Sequence, residues 1–278
     1  MMSSFDRDAF LIIGAMKAGT TSLYADLCTH PAIFMPANKE PESLATDDVL
    51  TPGGRRRYAQ LFGRARPGQW VGEASTAYTK WPDQSDAARR AKDIWGPDLK
   101  VIYMVREPVA RIVSHYNHDV QEGAQRAPFS EALRRDSRYL DYTRYARQLD
   151  FWLAEFDADA VKVLRFEDYV ANKPAVLAQL AAHLGVPVDG FTGSEGAANA
   201  SDGKLLAPTW LRQGALRSHL YLNVVKPMLP AGMRAHAKRW LSRRASPALS
   251  VADVSDAERS WIRAQLGASI APWYGAAA

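Results

Sequence analysis

The fifteen residues from Phe10 to Tyr24, Phe-Leu-Ile-Ile-Gly-Ala-Met-Lys-Ala-Gly-Thr-Thr-Ser-Leu-Tyr, constrain this chain more than any other stretch. A branched apolar run stops at Gly14, a small-residue turn carrying Lys17 follows, and Thr20, Thr21 and Ser22 open a helical pattern. A strand, a tight turn and a helix start in that order aim backbone N–H groups and the positive end of a helix dipole at one point, where an anion is stabilised. An ordinary nucleoside-triphosphate loop, G-x-x-x-x-G-K-[ST], puts its Lys after the last glycine, with a hydroxyl beside it for magnesium. Here Lys17 precedes Gly19, and the hydroxyls follow the glycine directly.

The rest of the chain alternates short branched apolar runs with longer amphipathic stretches, the mark of an α/β fold around a mostly parallel sheet. Strands are expected at Ala9–Ile13, Gln69–Gly72, Lys100–Val105 and Ala160–Arg165, with a short edge piece at Ile33–Met35. Val101 to Val105 is continuously apolar, as in a strand covered by helices on both faces. Helices are expected at Thr20–Thr29, Asp83–Ile94, Val109–Val120, Arg138–Glu155 and Lys173–Leu184, supported by Pro108, Pro174 and Gly185 as start and stop signals. From about residue 188 to 208 the pattern gives way to small polar residues, read as a long surface loop or lid. Helices then follow near Thr209–Val225, Ala231–Arg244 and Ser255–Leu266, the last opened by a Ser255/Glu258 capping box. Without internal repeat or low-complexity linker, residues 1–278 read as one domain, its helical segment 209–278 packed on the rest.

With 278 residues, 47% of them hydrophobic, the chain can bury a large core. Its formal charge of +5 suits an anionic ligand, and is spread along the chain with no zinc-ligand array or RNA-binding aromatic signature, which argues against nucleic acid. Cys28 is the sole cysteine, so a reducing compartment is the simplest assumption, and the thiol reads as a small buried packing residue. The first apolar run, preceded by Asp6 and Asp8, is too short for a signal peptide, and no stretch reaches the roughly 20 apolar residues of a membrane span. The expectation is a cytoplasmic protein. The basic run Arg234–Arg244 could touch an anionic membrane surface, although such runs are usually solvated helix faces.

A second motif runs from Lys100 to Tyr116. Arg106 ends a buried strand, so its guanidinium emerges at the carboxyl edge of the sheet, where open α/β sheets bind ligands. Ser114 lies two turns into the next helix, so the two side chains can close on one phosphate, the Arg bidentately.

The first loop, G-x-x-K-x-G-T-[ST], resembles the 5′-phosphosulfate loop of sulfotransferases that use 3′-phosphoadenosine 5′-phosphosulfate (PAPS). The second, R-[DE]-P-x-x-R-x-x-S-x-Y, is similar to the 3′-phosphate motif of the same family. His30-Pro31 followed by Lys39-Glu40-Pro41 resembles its carbohydrate and heparan branch. Gly72-Glu73-Ala74-Ser75-Thr76-Ala77-Tyr78 looks like a further family segment, with Ala74 where some heparan-type members carry Lys and Thr76 where Pro is common. Loss of that Lys leaves more of the charge stabilisation to Lys17. Val163 to Tyr169 also matches a family strand end, read as structural.

The resemblance implies a P-loop-type three-layer sandwich, a central parallel sheet flanked by helices. It implies that Lys17, Ala18, Gly19, Thr20, Thr21 and Ser22 cradle the 5′-phosphosulfate, with Lys17 stabilising the leaving group. Arg106 and Ser114 would hold the 3′-phosphate, and Glu40 would deprotonate the acceptor, with Glu42 or His118 as substitute bases. PAP would be the product and no metal would be required. The acceptor tilts toward a saccharide or glycolipid hydroxyl or amine. Asn199, Ser201 and Lys204 fall where relatives place nucleotide contacts. Two other classes stay open: a P-loop kinase or NTPase, which would need magnesium and an Asp at a strand end, and a binder that keeps nucleotide or polysaccharide affinity without turnover.

Overall fold

The structure is a computed structural model that describes residues 5–192 and 248–275. Expectations for the loop beyond residue 192, for Asn199, Ser201 and Lys204, for the helices at 209–225 and 231–244 and for the basic run Arg234–Arg244 lie outside the described residues. Five strands make one sheet in the order β2-β3-β1-β4-β5, with β1 at Ala9–Gly14, β2 at Ile33–Phe34, β3 at Trp70–Ala74, β4 at Lys100–Val105 and β5 at Val161–Arg165. Every pairing is parallel; Phe10 to Ile12 sit opposite Gly72 to Ala74 on one side and Lys100 to Ile102 on the other. Both faces are covered, so β1 is buried at all its positions and β4 at all but Lys100. The α/β sandwich expected from the apolar runs is the observed fold.

The strand order places the ligand crevice. After β1 the chain passes through α1 (Thr20–Leu27) to β2 at one edge. After β4 it passes through α4 (Pro108–Glu122) and further helices to β5 at the other edge. Neighbouring strands whose connections leave in opposite directions open a gap above their carboxyl ends.

Helix α9 (Lys173–Leu184) has the expected boundaries, its start capped by Asn172 and its end turned by left-handed Gly185. The Ser255/Glu258 capping box opens the C-terminal helix Asp256–Leu266. Three readings need correction. The single helix expected over Arg138–Glu155 is two, α6 (Arg138–Asp141) and α7 (Tyr145–Leu153). Between them Thr143 Oγ1 donates to the Tyr139 carbonyl at 2.6 Å and the Tyr145 N–H to Thr143 at 2.8 Å, which replaces the helical ladder. The helix expected from Asp83, α3, begins only at Ala87, because Gln148 of α7 holds both backbone groups of Trp81 in an irregular segment. Cys28 is exposed rather than buried, since α1 ends at Leu27 and the cysteine turns outward at its cap. A helix at Pro52–Gln60, α2, was masked in the sequence by two glycines and three arginines; Thr51 caps it, with Pro52 in its first turn.

Candidate active site

Loops leaving the carboxyl ends of all five strands meet in one cavity of about 410 Å³. From β1 come Met16, Lys17 and Gly19 to Ser22; from β2, Glu40; from β3, Thr76 and Lys80. From β4 come Arg106 and, on α4, Ser114 and His118; from β5 comes Phe166. Seven of the eight donor-loop and phosphate residues expected from the sequence, with Glu40, thus face one space. Ala18 is the exception: it is fully buried beneath the loop, its N–H bonded to Ala15.

The loop owes its shape to two glycines. At Gly14 (φ +150°) a Cβ would lie 2.0 Å from Thr79 Oγ1, which donates to the Ile13 carbonyl at 2.9 Å. Gly19 is the left-handed N-cap of α1 (φ +89°), and a Cβ there would lie 2.5 Å from the Phe166 ring. The N–H groups of Gly19, Thr20 and Thr21 make no backbone hydrogen bond among the described residues, as expected of a helix start whose first donors have no helical partner. No acidic residue lies in the first turn of α1.

Lys17 adopts a left-handed backbone (φ +69°), a conformation that costs a residue with a side chain about 1–2 kcal/mol. Arg106 provides compensation: its Nη1 donates to the Lys17 carbonyl at 3.1 Å while the guanidinium lies 4.8 Å over the Phe166 ring. The main chain of Arg106 is fixed in turn by the buried Tyr145 hydroxyl, 2.7 Å from its carbonyl. Burial lowers the Arg106 pKa from its ordinary value, so an anion beside it would replace lost hydration.

Glu40 is held from three sides. Its N–H donates to the Ala74 carbonyl at 2.9 Å, Lys39 Nζ lies 2.5 Å from Oε1, and Thr76 Oγ1 donates to Oε2 at 3.1 Å. Glu42, the substitute base, does not share the cavity. Its N–H binds Ser75 Oγ and it lines a separate pocket with Tyr58 and Leu61. His118, one turn beyond Ser114, does line the cavity, and its pKa is lowered first by burial and then by the Lys17 ammonium.

A sequence model described as the sulfotransferase family matches residues 48–190, half of the chain. The chain belongs to the sulfotransferase family. The match starts after the Lys17 loop, so the loop and Glu40 stand as observations beside it. Among solved structures, a sulfotransferase from Alicyclobacillus acidocaldarius is similar at 30% identity and a TM-score of 0.61, over 70% of this chain and 87% of that one. Carbohydrate sulfotransferase 15 of Mus musculus is 27% identical over 59% of this chain and 41% of its own length. Heparan sulfate glucosamine 3-O-sulfotransferase 6 of Homo sapiens is 27% identical over 63% of this chain and 52% of its own length. The chain thus spans about half the length of these two relatives. Among the described residues no helix is long and apolar enough to cross a membrane.

In this member of the family, three lining residues outside the first loop escaped the sequence reading of the site. Phe166 stood in a segment read as structural, yet it lies against Gly19 and beneath Arg106. Thr76 was noted only as a departure from proline, yet it orients Glu40. Lys80 brings a second ammonium to the cavity, so Lys17 does not carry the charge alone. The signal for all three was position: each lies in the first residues after a strand's carboxyl end. Lys17, Lys80 and Arg106 face a single carboxylate, Glu40, which Lys39 already pairs. The cavity is cationic overall, as a ligand with several negative charges requires.

Proposed function

We propose that this sulfotransferase-family chain transfers a sulfuryl group from PAPS to a hydroxyl or amine on a saccharide or glycolipid. The observation that carries the reading is the convergence of the Lys17–Ser22 loop, Arg106, Ser114 and Glu40 on one cationic cavity. The residues fit the donor: open N–H groups at the α1 start suit its 5′ end, and the half-buried Arg106 beside Ser114 suits its 3′-phosphate.

When bound, PAPS supplies the sulfuryl group and departs as PAP. The α1 N-terminus and Lys17 neutralise charge growing on the leaving oxygen, the kind of preorganised electrostatic stabilisation that is usually the largest single contribution. Glu40 takes the acceptor proton, and Thr76 aims its carboxylate. Arg106 and Ser114 orient the donor for in-line attack and take no part in proton transfer. His118, held neutral by burial and neighbouring ammonium charge, can accept a hydrogen bond from the acceptor. The names of the two curated relatives support a saccharide acceptor. The same reading takes residues 1–278 as one catalytic domain, and the single cysteine supports a cytoplasmic location.

Calorimetry with PAP and with AMP tests the donor half, and transfer of sulfur-35 from labelled PAPS into host extract tests the reaction. PAP should bind well ahead of AMP and label should enter a saccharide fraction. Equal affinity for the two nucleotides would overturn the reading.

A further inference from the structure

The segment Gly72 to Tyr78 at the end of β3 supplies Thr76 to the cavity, but Glu73, Ser75 and Tyr78 face elsewhere. Glu73 is fully buried in β3. Its Oε1 accepts two hydrogen bonds, from Ser75 Oγ at 2.7 Å and from the Tyr78 hydroxyl. A hydroxyl has one proton, so each of these, having given it to Glu73, can only accept from its other neighbour. Those neighbours are backbone N–H groups of one short segment: Glu42 N–H donates to Ser75 Oγ at 3.1 Å, and Leu44 N–H to the Tyr78 oxygen at 3.1 Å.

That segment carries Glu40. Glu40 and Glu42 both have left-handed backbones, at φ +60° and +54°, and neither is a glycine. Such conformations persist only where surrounding contacts over-determine them. Here the contacts are the Glu40 N–H to the Ala74 carbonyl and the two hydroxyl-bridged bonds at Glu42 and Leu44.

We propose that Glu73 is a positioning residue, whose carboxylate orients Ser75 and Tyr78 so that they clamp the Glu40–Leu44 backbone and hold the Glu40 carboxyl at the cavity. The inference rests on the reading of Glu40 as general base. Burial pushes the Glu73 carboxyl up from its ordinary range, and the bonds donated by the Tyr78, Tyr58 and Ser75 hydroxyls pull it back. Both clamp arms run through Oε1, and Oε2 takes no part in them. This asymmetry separates the clamp from simple burial of polarity. E73Q keeps an oxygen at Oε1 and puts its amide nitrogen at Oε2, outside the clamp. E73L removes the shared acceptor and releases both hydroxyl protons.

Three readouts on the full chain test the clamp: hydrogen–deuterium exchange over residues 39–45, PAP calorimetry and labelled transfer from PAPS. E73L should speed exchange in that peptide about tenfold or more, because its amides lose the oriented acceptors. It should lower transfer roughly 10- to 100-fold, since a misplacement near 1 Å costs about that much, while PAP affinity stays level. E73Q should melt earlier yet keep exchange and transfer within about threefold of the parent, since its oxygen still receives both hydroxyls. Should E73L not fold, Y78F carries the test: it keeps the ring, frees only the Leu44 amide and should speed exchange there with PAP binding intact. Unchanged exchange in E73L or Y78F, or an equal loss in E73Q and E73L, overturns the clamp. If the parent binds PAP but transfers nothing, the reading of Glu40 fails, while the exchange data still decide the role of Glu73.

Discussion

Replacing Arg106 by alanine separates two jobs that one guanidinium performs in this structure. Its contact with the Lys17 carbonyl, 3.1 Å from Nη1, supports a left-handed loop residue and serves any nucleotide bound there. A hydrogen bond of this kind contributes about 1 kcal/mol net, which is roughly a fivefold effect on affinity. Its proposed bidentate grip on the 3′-phosphate serves PAP alone. Two charge-assisted bonds at the low end of their range contribute about 3 kcal/mol, roughly 150-fold. R106A should therefore weaken AMP about fivefold and PAP on the order of a thousandfold. The PAP-over-AMP preference, a ratio insensitive to the loop contribution, should contract roughly 150-fold. Isothermal titration of both nucleotides at one ionic strength reads this directly, because salt screens the phosphate contribution. R106K, which keeps the charge but loses the fork, should fall between. Parallel loss of both nucleotides would leave Arg106 as a loop brace only, and no loss of either would remove it from the site.

K17A and E40Q should each lower kcat by a few orders of magnitude while changing PAP affinity only modestly, as steady-state rates and calorimetry on the same variants would show. K80A should move the His118 titration upward, because the Lys80 ammonium helps to lower it; an imidazole NMR titration that does not move would place Lys80 outside the site's field. Burial, and next the Arg111 guanidinium that faces its Nδ1 at 3.2 Å, push His115 down to about 2. Arg138, His118 and Lys80 lower it further, and Asp119 lies 3.6 Å from Nε2. The folded chain therefore keeps His115 neutral, whereas the unfolded chain takes up a proton below about 6.5. Stability from this site is present above that pH and falls as the medium is acidified, by up to about 1.4 kcal/mol per pH unit. H115Q should flatten the pH dependence of urea unfolding between pH 6.5 and 5 by up to about 2 kcal/mol, and an unchanged slope would refute the assignment.

Elements whose physics is local were legible in the sequence. β4 was placed to the residue because a strand covered on both faces must be continuously apolar, and α9 because Asn172, Pro174 and Gly185 punctuate its ends. The Lys17 loop was readable for the same reason: strand, glycine turn and hydroxyl-rich helix start sit side by side in the chain. The long helix across Tyr142–Arg144 was misread because Thr143 and Gln148 turn their side chains back onto the Tyr139 and Asp141 carbonyls, contacts that no periodicity describes.

Amino-acid order alone thus determined the parallel α/β class, the glycine turn ahead of the first helix and the side-chain chemistry available at Lys17, Glu40, Arg106 and Ser114. Only the tertiary structure decided which side chains share a space. A strand order of β2-β3-β1-β4-β5 brings five carboxyl ends to one edge, so residues as far apart as Met16 and Phe166 face one cavity. It put Lys80 and Thr76 in and turned Glu42 out, although Glu40 and Glu42 are nearly adjacent in the chain. The physical reason is that pairing between strands, and the hydroxyl bonds that Glu73 directs onto the Glu40–Leu44 backbone, are long-range contacts to which residue spacing along the chain carries no clue.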